Sequence, residues 1–133
     1  MHLIHRGIVN KNYKENTLSS FKKSFDIGFG IETDIHLTKD NKFICFHDFT
    51  LNRIFQKNLS VKNLEYSYIK KISSIKKKTI PLLSELLKIS QNKFPLLIEI
   101  KPYFSKKILI KLVKETSRYN RCVFISFKHK NIY

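Results

Sequence analysis

Between Ile31 and Leu37 apolar and polar residues alternate with a period of two, the pattern of a strand with one face on a core and one face on something polar. On the N-terminal side the period changes to that of a helix. From about Thr17 to Ile27, Leu18, Phe21 and Phe25 fall on one face, Asn16 is placed to cap the first turn and Gly28 to stop the last. A short strand, His2 to His5, precedes this helix. Beyond the central strand, Lys39-Asp40-Asn41-Lys42 reads as a turn into a third strand, Phe43 to His47. The stretch from Asp48 to Thr79 is the least regular and predicts a loop, then a short helix around Leu64 to Ile72. Pro81 opens a helix carrying Leu83, Leu86, Leu87 and Ile89, and a Leu- and Ile-rich strand follows from Leu96 to Lys101. Ser105 caps a helix with Ile108, Leu109, Leu112, Val113 and Tyr119 on one side, and a fifth strand covers Cys122 to Phe127.

Five strands and about four helices in near-strict alternation predict an α/β protein built on a parallel sheet. No repeat, linker or shift of composition divides the chain, so residues 1–133 read as one domain. No apolar run approaches the ~18 residues of a spanning helix. A polar, chemically loaded stretch begins at His5, which leaves no room for an apolar signal core and predicts no targeting segment. Cys45 and Cys122 are far apart and unaccompanied, neither a disulfide framework nor a zinc pattern, which suits a reducing cytoplasm.

The net charge of +16 suggests a nucleic-acid partner. Its make-up argues otherwise: 22 of the 26 basic residues are lysine, alanine is absent, and Ile, Asn and Phe abound, as codon bias in an AT-rich genome produces. The lysines are scattered, with Lys76-Lys77-Lys78 the longest run, and no RNA-binding aromatic signature or zinc-finger spacing accompanies them. The expectation is therefore solvated helix faces and a general attraction for anionic substrates, with no nucleic acid.

With only 10 acidic residues in the chain, their positions carry information. Glu32, Asp34 and His36 share one face of the central strand, and polar groups near the C-terminal ends of strands line the ligand site of parallel α/β folds. Two carboxylates so placed make half of a hard-cation site for Mg²⁺ or Ca²⁺. The competing reading pairs them with lysines, but carboxylates on a buried strand are costly unless compensated, which favours the cation. Glu99 repeats the theme on the fourth strand, where Lys101 on the same face accounts for it as well as a cation does. His5 and His47 each end a strand and suit an acid–base couple near neutral pH. Arg6 could clamp a phosphate, with Gly7 allowing close backbone approach. His36 lies on the right face as a supporting group, Ser126 at most lines the site, and His2 and His129 read as non-functional. There is no Gly-rich phosphate loop and no nucleophile elbow.

His5-Arg6-Gly7, Glu15-Asn16-Thr17 and the run Glu32 to Asp40 resemble the opening of the glycerophosphodiester phosphodiesterases. His47-Asp48 with Thr50-Leu51-Asn52-Arg53, then Ile80 to Glu85, Ile98-Glu99-Ile100-Lys101 and Ser126-Phe127 continue the resemblance in order and spacing. Fewer of these residues are shared with the related sphingomyelinase-D-like phospholipases. The resemblance implies a TIM barrel and hydrolysis of a small-molecule glycerophosphodiester to an alcohol and glycerol 3-phosphate. It implies a divalent cation, Mg²⁺ or Ca²⁺, held by Glu32, Asp34 and Glu99, with His5 and His47 as general acid and base. Arg6 and Lys101 would meet the phosphate, and Glu15 would order the site or touch glycerol. Thr33 replaces a commonly apolar residue between the two acids, and Leu82 stands where the family often has a helix-capping Thr.

The family barrel has eight strands and takes ~200 residues or more. The sequence thus predicts a partial barrel of about five parallel strands that lacks the last three β/α units, incomplete at the C-terminus. Its open edges invite a second copy or another chain. Three readings follow: the enzyme itself, a truncated remnant that is inactive or depends on assembly, and a basic module for anionic surfaces or nucleic acid.

Overall fold

A computed structural model of the chain describes residues 2–126. The elements follow in the order β1 (Leu3–His5), α1 (Leu18–Asp26), β2 (Gly30–Leu37), β3 (Phe43–Cys45), α2 (Asn52–Phe55), α3 (Tyr66–Ile75), α4 (Leu83–Ser90), β4 (Leu96–Ile100), α5 (Lys106–Thr116) and β5 (Cys122–Ser126), with a 3₁₀ turn at Val61–Asn63. The alternating segment is the axis of the sheet. Along β2, Ile31 and Ile35 enter the core under the helices, while Glu32, Asp34 and His36 take the opposite face. One strand edge of β2 pairs with β4 in parallel over Ile31–Ile35, and β4 pairs with β5 in parallel. The other edge is shared: β1 pairs in parallel with Gly30–Glu32, and β3 with Ile35–Leu37.

The α/β class and five strands are as expected, but β3 runs antiparallel to β2. The connection Thr38–Lys42 is a tight turn, with Thr38 N–H donating to Lys42 O at 2.9 Å and Asn41 left-handed at φ 59°. A turn that short can only reverse the chain, because a parallel partner needs a crossover of a dozen or more residues. On an eight-strand barrel count the described residues therefore supply four parallel strands rather than five. A second consequence concerns His47, which does not end a strand equivalent to β1. β3 runs back down beside β2 and stops at Cys45; Phe46 N–H then donates to Asp34 O at 2.9 Å, and His47 arrives at the level of the carboxylates.

Two apolar clusters hold these elements. The larger packs Phe21 and Phe25 of α1, Leu83, Leu86 and Leu87 of α4, and Leu109 and Leu112 of α5 on Ile31, Ile35, Leu96 and Ile98 of the sheet. The smaller gathers Phe46, Leu51, Phe55, Val61, Tyr66, Ile69 and Ile80 beneath the excursion between β3 and α4, together with Ile44. α2 was not expected; Leu51 and Phe55, buried in this cluster, fold it. Ser105 caps α5 as expected, accepting from Ile108 N–H at 3.3 Å. The cap of α1 is Thr17, not Asn16: Thr17 Oγ1 accepts from Ser20 N–H at 3.3 Å, whereas Asn16 stands in the left-handed region at φ 52°. Leu82 offers α4 no side-chain acceptor, and Glu85 satisfies the N–H of Leu82 from inside the helix at 3.0 Å. Cys45 and Cys122 are free thiols on strands, pushed up by burial to about 12 and about 11. The last expected strand residue, Phe127, and His129 lie outside the described residues.

Candidate functional site

Sheet register assembles the acidic cluster. Parallel pairing of β2 with β4 sets Asp34 beside Glu99, and Glu32 lies two residues earlier on the same face. A carboxylate oxygen from each of the three comes within 4.8 Å of the others. Burial and then the charges of Asp34 and Glu99 push Glu32 up to about 7, and burial raises Asp34 as well. Glu32 Oε1 is buried without a hydrogen-bond partner among the described residues. A buried carboxylate oxygen with no donor, flanked by two further carboxylates, suits a hard cation with oxygen ligands.

The other expected residues converge on this cluster. His5, at the C-terminal end of β1, stands 68% exposed with Nε2 3.7 Å from Glu32 Oε1. Arg6 follows with its backbone in the left-handed region at φ 56°, its N–H donating to Glu32 O at 2.7 Å. That conformation turns the guanidinium across the site: Nε lies 3.6 Å from Asp34 Oδ2, and Nη1 donates to Glu15 Oε2 at 3.3 Å. Gly7 makes the bend possible, being at φ 76° with no room for a Cβ, which would meet Ser20 Oγ at 2.2 Å. Lys101, just past β4, pairs with Glu99. Glu15 is buried enough to raise its pKa, but the hydrogen bond and charge of Arg53, with Arg6, outweigh burial and lower it.

His47 Nδ1 is 2.7 Å from Asp48 Oδ1. Asp48 is held down to about 2, chiefly by hydrogen bonds from Arg53, so it is a carboxylate and can only accept. Nδ1 of His47 therefore carries a proton toward Asp48, which leaves Nε2 as the nitrogen outside this pair. His36 Nε2 lies 3.0 Å from His47 O, and burial pushes the ring down to about 4.

All eight expected site residues thus meet at one end of the sheet. Four others, not expected as site residues, join them. Asn16 Nδ2 donates to Asp34 Oδ2 at 3.3 Å and its Oδ1 accepts from Thr33 Oγ1 at 2.8 Å, so Thr33, on the far face of β2, steadies the cluster through Asn16. Asp48 orients His47, and Arg53 binds both Asp48 and Glu15. The signal for Asn16 is its place in Glu15-Asn16-Thr17, where a helix cap accounts for it equally well. Beside the site a cavity of about 440 Å³ is lined by His36, Leu37, Phe49, Ser60, Lys62, Pro102 and Tyr103.

Residues 5–131 match the model of the glycerophosphoryl diester phosphodiesterase family. A glycerophosphodiester phosphodiesterase of Caldanaerobacter subterraneus is 34% identical over 98% of this chain and 59% of its own length. Human lysophospholipase D GDPD1 is 34% identical over 90% of this chain and 42% of its own. A glycerophosphodiester phosphodiesterase structure from Thermotoga maritima superposes with a TM-score of 0.83 at 27% identity, covering 98% of this chain and 55% of that one. The chain has the fold of an Oleispira antarctica phosphodiesterase solved with the product sn-glycerol-3-phosphate (TM-score 0.82, 24% identity, 97% of this chain and 58% of that one). The chain thus spans roughly half the length of the relatives it matches. No helix among the described residues is long and apolar enough to cross a membrane.

Proposed function

Because the chain belongs to the glycerophosphoryl diester phosphodiesterase family, we propose that its site hydrolyses small glycerophosphodiesters to an alcohol and glycerol 3-phosphate. The observation that carries this reading is the convergence of three carboxylates within 4.8 Å with His5, Arg6, His47 and Lys101 around them. Mg²⁺ or Ca²⁺ held by Glu32, Asp34 and Glu99 would supply positive charge to the phosphoryl oxygens.

The protein's own groups do the rest. Arg6 and Lys101 neutralise the charge that builds on the phosphate in the transition state. His5 takes the proton from the glycerol 2-hydroxyl as its oxygen attacks phosphorus. The bond from phosphorus to the alcohol breaks, and His47, entering the step as the imidazolium with Nδ1–H held by Asp48, gives that alkoxide its second proton, the one on Nε2. A cyclic glycerol phosphate remains. Water then opens it with the two histidines in exchanged roles, which leaves glycerol 3-phosphate and restores both rings. The cavity lined by Phe49 and Tyr103 gives room for the alcohol arm. The net charge of +16 draws anionic substrates without any nucleic-acid partner. We place the reaction in the cytoplasm, which the two free thiols support.

The test is release of glycerol 3-phosphate from glycerophosphocholine by the purified chain with Mg²⁺, with Ca²⁺ and with chelator. Release is expected with a cation and not with chelator, and not from His5→Ala or His47→Ala. Full activity in either variant would overturn the acid–base assignment.

A further inference from the structure

Arg53 is 38 residues from one of its acidic partners and 5 from the other, and it grips both as a fork. Nε donates to Asp48 Oδ2 at 2.9 Å and Nη2 to Asp48 Oδ1 at 3.0 Å. Nη1 donates to Glu15 Oε1 at 3.0 Å and Nη2 to Glu15 Oε2 at 3.1 Å. Each carboxylate then reaches one further group. Glu15 Oε2 also accepts from Arg6 Nη1, and Asp48 Oδ1 from His47 Nδ1. A continuous path of hydrogen bonds runs Arg6–Glu15–Arg53–Asp48–His47, joining the loop after β1 to the loop after β3.

We propose that Arg53 is a positioning residue that sets the phosphate-gripping arm of the site, Arg6, in register with its proton-transferring arm, His47. This rests on the function proposed above. Arg53 touches neither arm directly. Its side chain is 48% exposed, and exposed ion pairs contribute little to stability, so global stability gives no reason for so specific a geometry. Its backbone is fixed by its neighbours, since Leu51 and Phe55 on either side are buried in the smaller cluster. Only a planar guanidinium presents two forks at once; an ammonium at this place could keep the charge and lose the alignment.

The variants Arg53→Ala and Arg53→Lys separate charge from geometry. Both are expected to lower kcat/KM by roughly 10²-fold, the scale of a misplaced catalytic group, in chains that still unfold cooperatively above the assay temperature. Double variants then test the coupling. In Asp48→Asn and in Glu15→Gln one arm is already loose, so adding Arg53→Ala should lower kcat/KM by clearly less than it does in the parent chain. Effects that simply multiply in both backgrounds, or full activity in Arg53→Lys, would overturn the proposal.

A readout independent of turnover is the imidazole ¹⁵N spectrum of His47. At a pH where the ring is neutral, the intact chain should show one tautomer, protonated at Nδ1, and Arg53→Ala a mixture. An unchanged spectrum in Arg53→Ala overturns the positioning role even if the chain proves inactive. Absence of turnover with the expected spectral change counts against the proposed reaction and leaves Arg53 where we place it.

Discussion

Glu32 faces two like charges with one carboxylate oxygen shut off from water, and that tension makes it the most informative single residue. Burial and its acidic neighbours hold its carboxyl near 7, against 4.5 for an unhindered one. An acid whose folded value is raised costs stability above that value and nothing below the unfolded one. Without a cation near neutral pH, Glu32→Gln should therefore stabilise the fold by about 1–3 kcal/mol, visible as a Tm several degrees higher in chelator. The same change should remove the rise in Tm that Mg²⁺ or Ca²⁺ gives the parent chain. A variant less stable in chelator would show that the three carboxylates do not repel.

Asp48 has the opposite sign. Held at about 2 rather than 3.8, it contributes stability that is full above 3.8 and lost as pH falls through about 2. The urea midpoint of the parent chain should exceed that of Asp48→Asn at pH 5, and the gap should close between pH 4 and 2. At this scale the sequence disclosed Glu32 and Asp34 through their period of two. Glu99 was open to a bland reading as a partner of Lys101, because only strand register brings it to Asp34, and register is not written in spacing. Arg53 was hidden for a similar reason: what distinguishes it is an acid 38 positions away.

Among elements, the first helix shows how a cap is chosen when two candidates adjoin. Asn16 and Thr17 are both good caps, but the buried carboxylate of Asp34 takes a donor from Asn16 Nδ2, while the single hydroxyl proton of Thr17 goes to Lys14 O. Asn16 is therefore drawn into the site and Thr17 caps α1. Thr17→Ala should cost about 1 kcal/mol in urea unfolding, leaving cation binding unchanged because no hydrogen bond links Thr17 directly to the carboxylates. A loss of cation binding would tie the cap to the site after all. The helices themselves were legible wherever apolar residues recurred at helical spacing, as in α1, α4 and α5. The direction of β3 was legible too, in the shortness of Lys39-Asp40-Asn41-Lys42, but alternation of elements suggested a parallel sheet and that outweighed it. α2 has a single turn, too short for any period to register, and it exists because Leu51 and Phe55 are pinned below it.

For the molecule as a whole, the described sheet has two free edges, β1 paired only with β2 and β5 only with β4, and Val123 on β5 is half exposed. Edges of this kind recruit further strands. The 133-residue chain studied alone should associate as its concentration rises, which sedimentation velocity would report as a climbing weight-average coefficient; a constant monomer value would show that the edges are tolerated.

The division of the interior into two clusters reaches further. Glu32, Asp34 and Glu99 are carried by strands of the larger cluster, whereas His47, Asp48 and Arg53 ride on the flap seated over the smaller one. Parts of a protein with their own small core open before the rest. In the proposed reaction His47 protonates the leaving group, so opening of that flap would carry the proton donor away while Glu32, Asp34 and Glu99 keep their places on the sheet. Cation binding is then expected to outlast turnover as denaturant is added.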